Sequence, residues 1–194
     1  VREIPEVEAA RQAAADLIRR RSEAGQLAAP EEILQELKEQ NLLTFSADDQ
    51  VGPPGALEAI LKEAREENKD LKELPGEDGV PRYYSDQFMS ETYARILSGK
   101  EGDPLQLIAE IVRENSALYP RPVPLHTFQD APFGLTETEL QACLEQMAGR
   151  DTYKDIGQTI TSWGTAFLFS SLHLDPAHAS MLAEWYDVGR FHNT

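Results

Sequence analysis

An internal repeat constrains this chain more than any other feature of its sequence. Ile33 to Asn41 (ILQELKEQN) aligns with Leu107 to Asn115 (LIAEIVREN), 74 residues later. Thr44-Phe45 aligns with Thr127-Phe128, and Leu57 to Leu61 with Leu140 to Leu144, both 83 residues later. Lys69-Asp70-Leu71 aligns with Lys154-Asp155-Ile156, and Val80 to Ser85 with Thr165 to Ser170, both 85 residues later. The order of the blocks is kept and the spacing only grows. This pattern predicts two copies of one unit, with insertions around Tyr119 to Val123 and near Arg150. A duplicated unit must build the same core twice, so the periodicities of the copies should agree.

They do. Leu57, Ile60, Leu61 and Ala64 fall at i, i+3, i+4 and i+7, as do Leu140, Cys143, Leu144 and Met147. Each set predicts one apolar helix face buried in a core. Thr136 and Glu139 have the spacing of a capping box that starts the second of these helices. Glu77-Asp78-Gly79 and Ser162-Trp163-Gly164 occupy equivalent turns between two extended runs, residues 70–85 and 155–170. A helix follows each hairpin. Ser90 caps the first, which carries Tyr93, Ile96 and Leu97. Asp175-Pro176 starts the second, with Met181, Leu182, Trp185 and Val188 as its apolar positions. Asp103-Pro104 starts the Leu107 helix in the same way. A further N-terminal helix, with Val7, Ala10, Ala14, Leu17 and Ile18 as its stripe, ends at Gly25 and stands outside the repeat. Ser98 to Gly102 is the expected linker. The expected domains are 1–98 and 103–194, with residues 31–97 and 105–188 superposing.

A helix, a short strand, a second strong helix and a β-hairpin "wing" resemble the winged-helix fold, twice over. The fold class expected is therefore α+β, mostly helical, as two winged-helix-like repeats with β-hairpin wings. The resemblance implies that the Leu57 and Leu140 helices would be the recognition helices if the chain bound DNA.

Charge argues against that use. The formal net charge is −16, from 18 Lys+Arg against 34 Asp+Glu. Residues 1–100 carry 13 basic and 21 acidic groups, and residues 101–194 carry 5 and 13, so each half is about −8. Such a field repels phosphate backbones and anionic membranes. In the first candidate helix Lys62, Arg65 and Lys69 face Glu58, Glu63, Glu66 and Glu67. The second offers Arg150 against Glu137, Glu139 and Glu145. Cys143 is the sole cysteine, so no intramolecular disulfide forms. No apolar run approaches the length of a membrane span. The reading is cytoplasmic, with no membrane association.

No catalytic residue and no cofactor site is assigned, since H-E-x-x-H, G-x-S-x-G and G-x-G-x-x-G are all absent. Ser98-Gly99-Lys100 lacks the upstream glycine spacing of a phosphate loop. Glu31-Glu32, Asp48-Asp49 and Glu66-Glu67 read as solvated surface. Cys143 lies mid-stripe and reads as a small core residue rather than a nucleophile. His173, Asp175 and His178, followed by Glu184, are weak candidates for a metal site. Asp175 already has a capping role, and His178 reads instead as a half-buried structural histidine. Arg19, Arg20 and Arg21 could grip a phosphate or an acidic partner, but three arginines in a last helical turn read first as solvated and complementary to the helix dipole. Trp163 falls where the first copy has Asp78, at the hairpin tip. Either it projects outward as a partner-binding anchor or it folds back onto its own sheet or the neighbouring half. The function expected is non-catalytic protein interaction, through a protein partner or self-association. Acidic winged helices that bind proteins, such as the accessory subunits of bacterial condensin, are similar in architecture and charge. The alternatives are a DNA-binding regulator and an enzyme of unassigned class.

Overall fold

The computed structural model describes residues 4–43, 53–76 and 78–191. Thr44-Phe45, the stretch Ser46 to Gly52 with Asp48-Asp49, and Glu77 lie outside the described residues. The fold is α+β and mostly helical. Its elements run α1 (Ile4–Glu23), α2 (Pro30–Glu39), α3 (Pro53–Glu67), β1 (Leu71–Leu74), β2 (Arg82–Ser85), α4 (Glu91–Gly102), α5 (Pro104–Leu118), β3 (Val123–Pro124), a 3-10 turn at Leu125–Phe128, α6 (Glu137–Ala148), a 3-10 turn at Asp151–Tyr153, β4 (Ile156–Ile160), β5 (Ala166–Ser170), α7 (Pro176–Asp187) and a 3-10 turn at Gly189–Phe191. The chain divides into two compact units, Val1–Ser98 and Gly99–Thr194.

The helix starts are written in the local sequence. Asp103 accepts from the Leu105 and Gln106 amides at 3.1 Å each. Thr136 and Glu139 make both halves of the capping box, at 2.8 and 3.2 Å. Asp175 accepts from Ala177 and His178, and Ser90 from Tyr93. These bonds satisfy amides that a helix leaves without internal partners.

In unit 1, Ala10, Ala14 and Ile18 of α1 pack in one core with Ile33 and Leu37 of α2 and Leu57, Leu61 and Ala64 of α3. Each fully buried Leu or Ile contributes roughly 1.5–3 kcal/mol. In unit 2 the matching α6 face buries Leu140, Cys143 and Met147. Leu144, expected beside them, is only half-buried.

Both hairpins are present and share one register. Leu71 pairs with Ser85 and Leu74 with Arg82, while Ile156 pairs with Ser170 and Thr159 with Phe167. Each equivalent residue lies 85 positions later. The turns agree bond for bond: Gly76 donates to Val80 and Gly79 to Gly76, as Thr161 donates to Thr165 and Gly164 to Thr161. Gly79 and Gly164 sit at φ +78° and +84°, which a side chain would strain. Each hairpin is met at the equivalent position: an isolated bridge joins Ala28 to Tyr83 in unit 1, and the short strand β3 pairs Val123 with Leu168 of β5 in unit 2.

The helix that packs on each hairpin corrects the sequence alignment. Arg19 of α1 grips Asp70 through two guanidinium nitrogens, at 2.9 and 2.8 Å, and Ser85 donates to the same carboxylate at 2.8 Å. Ser22 Oγ receives the Ser85 amide at 2.8 Å. In unit 2, Arg113 of α5 grips Asp155 at 2.9 and 2.6 Å, Ser170 donates to Asp155 at 2.7 Å, and Ser116 Oγ receives the Ser170 amide at 3.0 Å. The counterpart of α5 is therefore α1, 94 residues earlier, and not α2. The N-terminal helix belongs to the repeat. The match of Ile33–Asn41 to Leu107–Asn115 compared two amphipathic helices of similar length that occupy different places.

Two further expectations are corrected. Ser98 to Gly102 is helical and closes α4, which stops where Asp103 precedes Pro104, a position biased away from helix. In α7 the buried face is Ala179 and Ala183, continued by Val188, with Leu182 half-buried. Met181 and Trp185 point away from it and are exposed.

Candidate functional site

The second hairpin, α7 and the 3-10 turn after it carry the exposed aromatics Trp163, Trp185, Tyr186 and Phe191, while exposed Tyr119 ends α5. Trp163 is 58% exposed at the hairpin tip, and its ring stacks on Phe191 with centroids 6.0 Å apart at 25°. Trp185 is 50% exposed, and its ring lies so close over Gly189 that a Cβ there would meet it at 2.7 Å. Met181 stands one turn before Trp185 on the same helix face and is 59% exposed.

The tip is tied down. Glu184 of α7 accepts from the Ser162 amide at 2.9 Å and from the Ser162 hydroxyl. Asp187 accepts from the Thr161 hydroxyl at 2.6 Å. These bonds fix the turn that carries Trp163 to the helix that carries Trp185. In unit 1 the equivalent tip residue, Asp78, accepts from the Val80 amide and from Arg82, which holds its carboxyl below the usual range. One backbone plan thus presents a solvated carboxylate in one copy and an indole in the other.

The remaining candidate residues lie apart from this surface or have structural partners. Arg19 is drawn onto a buried carboxylate, which corrects the solvated reading for that residue, while Arg20 stays largely exposed beside its partner. Arg19 holds Asp70, Arg20 meets Glu36 at 3.0 Å, and Arg21 meets Gln26 and Glu32. The cause is that α2 and the hairpin bring carboxylates to the end of α1. His173, Asp175 and His178 are all exposed, so His178 is not half-buried. Asp175 caps α7, and among the described residues no group of three or more His, Cys, Asp or Glu is arranged to hold a metal. Cys143 is buried, and burial pushes its thiol pKa up. Among the described residues no helix is long and apolar enough to cross a membrane.

Sequence reasoning missed the Arg–Asp–Ser network, although its signal is present. Arg-x-x-Ser occurs at 19 and 22 and again at 113 and 116, with Asp70 and Ser85 repeated as Asp155 and Ser170.

Comparison with known proteins places the second unit in context. Residues 100–191 match the family model of the YdhW C-terminal domain. The chain is also similar to the uncharacterized protein YdhW of Escherichia coli (strain K12), at 33% identity over 138 residues. That alignment spans 70% of this chain and 64% of the relative. No solved structure matches. The segment resembling the YdhW C-terminal domain contains Trp163, Trp185 and Phe191.

Proposed function

We propose that the chain is a non-catalytic protein-binding module of two winged-helix-like units, and that unit 2 docks a partner on its aromatic surface. The observation that carries this reading is Trp163, more than half exposed at a tip that two side chains of α7 hold in place. A fixed indole loses little conformational freedom on binding, and Trp is enriched among residues that dominate interfaces. Trp185, Phe191 and Met181 extend the apolar area beyond what scattered surface residues need. The winged-helix comparison is supported by the order helix, isolated bridge or short strand, helix or 3-10 turn, helix, hairpin in each unit.

The occupant is a different protein, with an apolar socket rimmed by basic residues. A net charge of −16 favours a cationic rim and sets two copies of this chain against each other. A labelled peptide with tryptophan and leucine anchors flanked by lysines tests the reading, against the same peptide flanked by glutamates. The lysine peptide should bind the full chain more tightly, and less so as salt rises. Trp163→Ala and Trp185→Ala should each weaken it about tenfold or more with thermal melts nearly unchanged. Equal binding of the two peptides, or variants that bind like wild type, would overturn the reading. Sedimentation of the chain alone at rising concentration should show a monomer throughout; a dimer lost in Trp163→Ala would make a second copy the occupant instead.

A further inference from the structure

Residues 101–194 contain only five basic side chains: Arg113, Arg121, Arg150, Lys154 and Arg190. Two of them, Arg121 and Arg190, line one cleft of about 360 Å³ in unit 2. That volume is at the lower end of the range for small-molecule sites. Arg113 differs in kind, because Asp155 occupies it.

Arg121 is held ready. Its Nε donates to Asn115 Oδ1 at 3.1 Å, and Asn115 Nδ2 donates in turn to the Ile111 carbonyl at 2.9 Å. Its guanidinium carbon lies 5.1 Å from the centre of the Tyr119 ring. Among the described residues its two terminal nitrogens have no hydrogen-bond partner and no carboxylate within ion-pair distance. The Arg190 guanidinium lies 5.0 Å over the Phe191 ring and likewise has no carboxylate partner among them. Among the described residues of the lining Asp187 is the one acid, and it already accepts from the Thr161 hydroxyl. Two guanidiniums against one carboxylate leave an unbalanced positive charge in a chain of net −16. His126, Thr127 and Asn115 are the other polar residues of the wall, and the rest is apolar: Ile111, Pro122, Val123, Pro124, Phe167 and the Tyr186 ring.

We propose that this cleft binds a small organic carboxylate, its anionic end between Arg121 and Arg190 and its apolar body against the proline-flanked wall and Phe167. An arginine fork matches a carboxylate through paired N–H donors, and the orientation of Arg121 is fixed before the ligand arrives. A single ligand charge balances the lining. A phosphate dianion would add a second charge beside Asp187. The cleft adjoins the docking surface, since Arg190 lies over Phe191 and Asp187 also braces the Trp163 tip, but carboxylate binding does not depend on a protein docking there.

Titration of the full chain with benzoate and 3-methylbutanoate, followed by backbone-amide NMR and calorimetry, tests the proposal. Benzamide and inorganic phosphate serve as the neutral and dianionic controls. The carboxylates should bind one to one and shift the amides of Asn115, Arg121, Thr127 and Arg190. Benzamide should bind at least about tenfold more weakly, as should benzoate to Arg121→Gln and to Arg190→Gln. Arg121→Lys, which keeps the charge but loses the fork, should lie between. Both arginines are exposed, so the unliganded variants should melt like wild type. Benzamide or phosphate binding as tightly as the carboxylates, variants equal to wild type, or no shift of these amides at about 10 mM carboxylate would each overturn the assignment.

Discussion

Asp70 and Asp155 carry a share of stability that depends on pH. Their side chains are only 8% and 7% exposed, and the facing arginines with the serine hydroxyls hold both carboxyls down to about 2 from the ordinary 3.8. A carboxyl depressed in the folded state stabilises it above the unfolded value and loses that contribution as pH falls through the folded one. The window is therefore pH 4 down to about 2, and each group contributes about 2 kcal/mol at neutral pH. Urea unfolding of Asp155→Asn should show a deficit near that size at pH 7, shrinking as pH falls through the window. A deficit unchanged at the lowest pH would show that the ion pair is not its source. Cys143 provides a second measurement at this scale. Its thiol is buried and its pKa raised, so maleimide labelling at pH 7 should be slow in the native chain and fast in denaturant. Rapid stoichiometric labelling without denaturant would mean that the α6 face is assigned wrongly.

Among the elements, the second hairpin is closely packed at Gly157. Gly157 pairs across the strands with Phe169, whose ring covers it so closely that an added Cβ would meet the ring at 2.6 Å. Phe169 packs in turn with Leu174 and Ala179 of the following segment and α7. Gly157→Ala should cost roughly 1–3 kcal/mol, as forced overpacking does. Thermal melts read this directly, and a variant as stable as wild type would show that the ring can move aside. The helix after each hairpin also differs between copies. α7 buries small residues, Ala179 and Ala183, and turns Met181 and Trp185 outward, so an apolar stripe at helical spacing was only partly a core stripe. Periodicity reports that apolar residues share a face; it does not report whether a neighbour covers that face.

For the molecule as a whole, charge distribution decides more than topology. A winged-helix comparison puts α3 and α6 forward for DNA, yet Arg65 pairs with Glu73 and α6 carries Glu137, Glu139 and Glu145. Arg19 and Arg113, which could otherwise meet phosphate, are fixed on buried carboxylates. Binding to duplex DNA should therefore be weak at moderate salt, because little positive surface is left to release counterions. A gel-shift series is sufficient, and sub-micromolar binding to any duplex would reverse this conclusion.

The sequence alone determined the α+β class, the hairpins at residues 70–85 and 155–170, four helix caps and the buried faces of α3 and most of α6. These features are local: spacing, a turn glycine or a capping side chain is enough to specify each one. Which helix packs on which hairpin was decided only in three dimensions. α2 and α5 have similar amphipathic patterns, while the α1–α5 equivalence rests on Arg–Asp and Ser–amide bonds between residues up to 63 positions apart. The same holds for the candidate sites. The position of Trp163 at the tip was legible from its alignment with Asp78. Its bracing by Glu184 and Asp187, and the convergence of Arg121 with Arg190 on one cleft, required chain segments distant in sequence to meet, because hydrogen bonds and charge pairing act through space.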